Sequence, residues 1–375
     1  MRGTAGNILH LGIKELRSLA RDPVMLVLLL YSMSVAIYIA ATAMPETLNQ
    51  APIAIVDDDR SPLSARIADA FYPPYFKSPD LIDRSGMDRR MDRGRDTFAL
   101  VIPPEFQRDV LAGARPTVQL NVDATRISQA FTGAGYIQSI VADETRAFIE
   151  RHHGSVEPPV GLNLRARFNP TLEHAWFGAM TELIDNITLL AIVLTGAALI
   201  REREHGTVEH LLVMPLTPFQ IMVSKVAAMA LVVLTAGAAS LLLVAHGLLS
   251  VPIQGSITLF LAGAGLHLFA ATSMGIFLAT MARSMPQFGL LIILVLLPLQ
   301  MLSGGVTPRE SMPEMIRTLM LAAPTTHFVS LSQAVLYRGA GPGTVWPQLL
   351  ALAAIGGTLF TVSLARFRRT IGSMA

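Results

Sequence analysis

The sequence predicts an α-helical integral membrane protein. It has six transmembrane helices, an α/β domain inserted on the outer side between the first two, and an N-terminal helix lying in the membrane interface. Three observations predict it. Hydrophobic residues make up 52% of the chain and charged residues 15%, where a soluble chain carries about 25% charged residues, and the mean hydropathy is +0.50. Six stretches reach the roughly 20 apolar residues that a bilayer crossing needs: 23–44, 177–200, 220–246, 257–282, 286–305 and 345–365. The long segment between the first two, residues 45–176, is polar and alternates strand-like with helix-like pieces.

Residues 1–22 precede the first span. His10, Lys14, Arg17 and Arg21 recur on one helical face, and Leu9, Ile13, Leu16 and Ala20 recur on another. Such a helix lies in the headgroup plane with its cations toward anionic lipid; it serves either as a topology anchor or as a partner contact. The run has no small-residue cleavage site behind an apolar stretch, so it does not read as a signal peptide. Arginine and lysine in the short flanks set the orientation. Arg2, Lys14, Arg17, Arg21, Arg201, Arg203, Lys225, Arg283, Arg366, Arg368 and Arg369 gather on one side. That side is expected to be cytoplasmic, with both termini inside and 45–176 outside.

Within 45–176, strands are expected at Pro52–Val56, Phe98–Ile102 and Val118–Val122. Ser61 and Pro62 look like an N-cap and a first-turn proline, opening a helix toward Phe71. Further helices should end at Leu111 and fill 126–151. Strands alternating with helices suggest a small α/β domain. The mixed-charge run 84–96 reads as a solvated face. In the 305–344 loop, residues 311–322 and 326–337 are apolar but too short to span, which suggests a re-entrant or interfacial helix pair on the outer side.

The chemistry of catalysis is missing. No phosphate-binding G-x-x-x-x-G-K-[ST] loop occurs, so ATP cannot be held in the usual way, and no H-E-x-x-H appears. Asp57, Asp58 and Asp59 lack the alternating ligands of a calcium loop and read as a strand-to-helix turn. Glu150, His152 and His153 have no second cluster to complete a metal site. No metal or catalytic residue is expected. There is no cysteine, and the net charge of +2 gives no reason to expect nucleic acid.

Two groups of polar residues stand out instead. Residues 201–210, REREHGTVEH, cannot lie in hydrocarbon and are followed by Leu211–Met214, Pro215 and Pro218. A charged, proline-closed element held against the membrane looks like a surface for a partner to grip. Ionisable groups inside spans are costly and mark function. Glu182, Asp185 and Asn186 share one face of the second span, and would line a water-filled mouth or an interface, or else sit among headgroups. His267, in the fourth span, faces a cavity or bonds a neighbouring helix. Pro298 should bend the fifth.

The order of these parts resembles the inner-membrane permease subunits of type-2 ABC exporters (the ABC-2 transmembrane family), most of all its YhhJ-like branch. IKELRSLARDP (13–23) looks like the family's interfacial connecting helix. PIAIVDDDRSPLSARI (52–67), IPPEFQRDVLAG (102–113) and VDATRISQAFTGAGYIQ (122–138) look like its external domain. REREHGTVEHLLVMPLTPFQI (201–221) resembles the coupling element, counted here as 201–219. LSGGVTPRESMPEMI (302–316) and PTTHF (324–328) resemble the segment after the fifth span.

The resemblance implies a non-catalytic permease of the Gram-negative inner membrane, with 45–176 periplasmic. A separate ABC ATPase would hold ATP and magnesium, and this chain would hold no cofactor of its own. Glu202, Arg203, Glu204, His205, Gly206, Thr207 and Glu209 would couple to that ATPase. A homodimer or a heterodimer with a related permease is implied, with a periplasmic adaptor and an outer-membrane channel as further partners. The expected function is outward transport of a hydrophobic or amphipathic substrate. Two competing classes are a force-transmitting subunit that works an adaptor without its own path, and a membrane-anchored ligand sensor. The cytoplasmic segments are too short to hold an output domain, which weighs against the sensor.

Overall fold

A computed structural model describes residues 4–42, 50–123, 127–153, 174–204, 216–307 and 309–372. The chain forms two compact units. One comprises Met1–Ala43 with Ala166–Ala375, and the other is Met44–Arg165.

The first unit is helical. Helix α1 (Thr4–Ala20) ends beside Asp22, whose carboxylate accepts from Met25 N at 3.1 Å and caps α2 (Pro23–Met33). One residue, Ser34, separates α2 from α3 (Val35–Thr42), and the two together make the first span-length helix, broken near its middle. The face of α1 packed on protein is Leu11, Glu15 and Leu19. Leu9 and Ile13, on the predicted apolar stripe, are exposed. The helix therefore carries three stripes: cationic, lipid-compatible and protein-facing. The third was missed because a glutamate sits in it.

The second unit is an α/β domain. Its sheet runs β2 (Asp80–Leu81), β1 (Ile53–Asp57), β3 (Phe98–Ile102), β4 (Gln119–Val122), with β1 parallel to both neighbours and β3 antiparallel to β4. Strands β1 and β3 are near-continuous apolar runs because both of their faces are covered. Helix α4 (Pro62–Asp69) opens with a capping box between Ser61 and Ser64. The aspartate run is a turn: Asp57 accepts from Asp59 N, Arg60 N and Ser64 Oγ, and Asp59 accepts from Gln107 N. Those bonds fix the start of α4 against the start of α6 (Phe106–Leu111). Helix α5 (Arg84–Asp92) is solvated, but Arg90 reaches back to Asp80 and to the buried Asp96. Hydrogen bonding to Asp96, then to Asp80, holds the Arg90 guanidinium above its ordinary value. Helix α7 (Ile127–His153) closes the domain, and its Ile137 and Phe148 join the apolar core.

Back in the first unit, α8 (His174–Glu204) and α9 (Pro218–Ser240) are long, and α9 continues through a π-helical stretch to Leu248. Helices α10 (Ile257–Met281) and α14 (Pro342–Gly372) also reach span length. Between them, α11 (Met285–Met301) has 17 residues, about 26 Å at 1.5 Å per residue, short of a 30 Å hydrocarbon core. Five of the six predicted spans are thus present at full length, and the fifth is shorter than 286–305. Where two short outer helices were expected, Glu314–Ala322 and Pro324–Tyr337 form a pair bent by 92°. They contain α12 (Glu314–Leu319) and α13 (Pro324–Ser332).

Helices α8 and α10 are the buried centre of this unit. Their backbones approach closely at Gly275, where a Cβ would lie 2.6 Å from the Ile192 carbonyl oxygen. Small residues permit such contacts between membrane helices.

Candidate functional site

The last four residues of α8 project in four directions, because successive helical side chains are turned by about 100°. Each meets a different part of the unit. Arg201 forms an ion pair with Asp22, the cap of α2. Glu202 meets Lys14 of α1 and Lys225 of α9, the second at 2.7 Å. Arg203 Nη1 donates to the carbonyls of Ala279 and Ala282 at 3.1 and 3.0 Å, satisfying orphan acceptors at the end of α10. Glu204 accepts from Met285 N at 2.9 Å. Ser284 makes no side-chain cap there, so Glu204 supplies one to α11, with its charge at the favourable end of the helix dipole.

The centre of this hub is a buried charge network. Lys225 Nζ donates to Glu15 Oε1 at 2.9 Å, and Lys14 lies 3.5 Å from the same carboxylate. Lys225 and Glu15 are 1% and 4% exposed. Two lysines and two glutamates balance, which is what makes burial tolerable. Burial works to lower the Lys14 ammonium, but the hydrogen bond and charge of Glu202, with Glu15 behind them, hold it above its ordinary value.

Of the residues singled out in the sequence, Glu202, Arg203, Glu204 and Lys14 come together here. His10, Arg17 and Arg21 stay exposed. His205, Gly206, Thr207 and Glu209 lie outside the described residues, immediately past the hub. Sequence reasoning missed Glu15, Asp22 and the buried role of Lys225. One signal was available: Lys225 stands seven residues inside an apolar helix begun at Pro218, where a cation needs a partner.

Further along α8, Asn186 is buried. Its Nδ2 donates to the Ser32 carbonyl at 2.9 Å and to Glu182 Oε1 at 3.0 Å. Ser32 belongs to the last turn of α2, whose carbonyls lack helical donors because the helix breaks at Ser34. Asn186 repairs that break. Asp185 is half-buried, and among the described residues its carboxylate has no hydrogen-bond partner. His267 is fully enclosed. Its Nε2 lies 2.8 Å from Thr188 Oγ1, and its ring stacks on Phe328 with centroids 4.2 Å apart. It therefore ties α8 and α10 to α13. Among the described residues no group of three or more His, Asp or Glu side chains could hold a metal ion.

The first unit is a bundle of helices, several of them long and apolar enough to cross a membrane. Comparison with known proteins decides its kind: the profile of the "ABC-2 family transporter protein" family matches residues 23–365. The chain belongs to the ABC-2 transporter family. It is 62% identical to the inner membrane transport permease YhhJ of Escherichia coli K12, over 98% of this chain and 99% of that one. It is 28% identical to the probable multidrug ABC transporter permease YbhR of the same strain, over 96% of this chain and 97% of that one. It is 25% identical to the probable multidrug ABC transporter permease YbhS, over 91% of each. This ABC-2 permease is accordingly a multi-pass protein of the inner-membrane type and a non-catalytic transporter subunit. Family membership implies an ABC ATPase subunit as its partner.

Proposed function

We propose that this permease exports a hydrophobic or amphipathic molecule, driven by a separate ATPase that pushes on residues 201–219. ATP and magnesium would reside on that ATPase alone. The single observation that carries the proposal is the hub at the end of α8. Force arriving just beyond Glu204 would meet, within four residues, contacts to α1, α2, α9, α10 and α11. An element that only had to connect two helices would need no such ties. YbhR and YbhS are named probable multidrug ABC transporter permeases, which supports export as the kind of work done.

In this proposal His205, Gly206, Thr207 and Glu209 form the surface that the ATPase grips, and Glu202–Glu204 pass its motion on. Glu182 and Asp185 face the path, while His267 holds the helices that move. Both termini and the hub are cytoplasmic, and the α/β domain is periplasmic. Two permease chains, identical or related, complete the path, and the external domain meets an adaptor and an outer-membrane channel.

The test uses the permease co-expressed with its ATPase. Glu209→Arg should leave the permease in the membrane and abolish substrate-stimulated ATP hydrolysis. Full stimulation in that variant would exclude 201–219 as the grip. Orientation is tested separately, since the chain contains no cysteine. Asp92→Cys should react with an impermeant thiol reagent in intact spheroplasts; reaction only after lysis would reverse the topology.

A further inference from the structure

The α/β domain contains a cavity of about 1000 Å³ between one face of the sheet and α7, bounded by α6 and the loop at 113–117. That size matches sites for drug-sized ligands, which run to roughly 1,000 Å³. Its walls are apolar, with Phe106, Val110, Leu120, Ile137, Val141 and Ile149 among them. It is a groove open to solvent along one side, while the core beside it is filled: Ile53, Ile55, Phe98 and Ile102 are at most 2% exposed.

Polar side chains also mark the cavity, Thr117 among them. Thr145 Oγ1 is shielded from solvent in its wall and has no hydrogen-bond partner among the described residues. Buried hydroxyls are ordinarily satisfied, so this one awaits an acceptor or donor from something bound. Gln138 lines the opening with its side chain exposed. Arg115, also exposed, is the one charged residue among those lining the cavity, and it makes no ion pair among the described residues. Two neighbouring carboxylates on α7 are committed elsewhere: Glu144 is paired with Arg66 at 2.6 Å, and Asp143 with Arg146 at 3.6 Å.

We propose that this cavity is a binding site for a small amphipathic anion, its apolar body against Phe106, Ile137 and Val141 and its acidic group at Arg115. A guanidinium is well suited to a carboxylate or sulfonate, which it meets with paired N–H donors. An uncharged apolar molecule would fill the walls and leave Arg115 unused. The site lies wholly within one unit, and it stands whether or not the transport proposal does.

The experiment uses the full chain in nanodiscs. Ala142→Cys places the sole thiol at the cavity wall, and Asp92→Cys places a control thiol on α5. The rate of labelling by a maleimide is measured with increasing naphthalene-2-sulfonate, and again with the uncharged naphthalene-2-sulfonamide. The sulfonate should slow labelling at position 142 about tenfold or more at saturation and leave position 92 unchanged. Arg115→Ala, added to the Ala142→Cys chain, should raise the half-protecting concentration about tenfold, the factor that 1.4 kcal/mol produces. The sulfonamide should protect as weakly as the sulfonate does in that variant. Gln138→Cys repeats the measurement should Ala142→Cys fail to fold. Equal protection by both probes, or none by either, overturns the proposal. So does a thiol unreactive before any probe is added, since the cavity would then be filled by another part of the chain or by a second copy.

Discussion

At one end of α8, each of the four side chains from Arg201 to Glu204 is bonded to another element. About 27 Å along the same helix, at 1.5 Å per residue, Asn186 is bonded across to α2 while Asp185 keeps a carboxylate without a hydrogen-bond partner among the described residues. Both regions are polar patches on a membrane helix, and in sequence they look alike. The difference is in who answers the charge. At the hub the protein itself does, through bonds to other helices. At Asp185 nothing described does, which leaves that group available to water or cargo. In the proposed function, a helix fixed at one end to five others, with a carboxylate unpartnered among the described residues at a distance, serves as a lever with a handle and a working tip.

The comparison breaks first at Lys225. Lys225→Met leaves the buried Glu15 and Glu202 sharing Lys14 alone, and removing one member of a buried charge network costs about 3–5 kcal/mol. The purified variant should unfold at a clearly lower temperature. Glu15→Leu added to Lys225→Met leaves the Lys14–Glu202 pair intact and neutral, so most of the loss should return. Equal stability of wild type and the single variant would mean the network is not what holds α1 to α9.

A smaller effect is expected at Asn186. Asn186→Leu fits the apolar surroundings but orphans the Ser32 carbonyl, a loss of about 1–3 kcal/mol. Thermal unfolding should register it, and Asp185→Leu, which orphans nothing, should cost less. The reverse order would make Asp185 the structural residue and Asn186 the available one.

The smallest effect is at the tip of the hub. Glu204→Ala removes a helix cap, worth about 1 kcal/mol, whereas Glu204→Gln can still accept from Met285 N and should be close to wild type. If the two variants unfold alike, the bond to α11 carries no weight.

Much of the frame was legible because it is local. Runs of about 20 apolar residues mark five full-length helices, and β3 was placed to the residue because its neighbours are buried on both faces. The two-residue strand β2 was missed, since Asp80–Leu81 has no periodicity to detect. The fifth span came out long because no charged residue marks the end of the helix at Met301; the next is Arg309. The protein-facing stripe of α1 was hidden by Glu15, which counts as polar until Lys225 is seen beside it. That pair is 210 residues apart in sequence, and Arg201 and Asp22 are 179 apart. Nothing in local spacing encodes such partners. The four residues of the hub stood out in the sequence by their charge density, but their division among five helices did not.

The link between the two regions of α8 is the central claim, and one measurement addresses it. Asp185→Cys gives a single thiol at the tip, and its labelling rate can be followed in the reconstituted permease–ATPase complex with and without ATP. ATP should change that rate in the otherwise intact chain, and the change should disappear when Arg203→Ala and Glu204→Ala are added, at equal ATP hydrolysis. A rate indifferent to ATP, or a response that survives loss of both hub residues, would contradict the account.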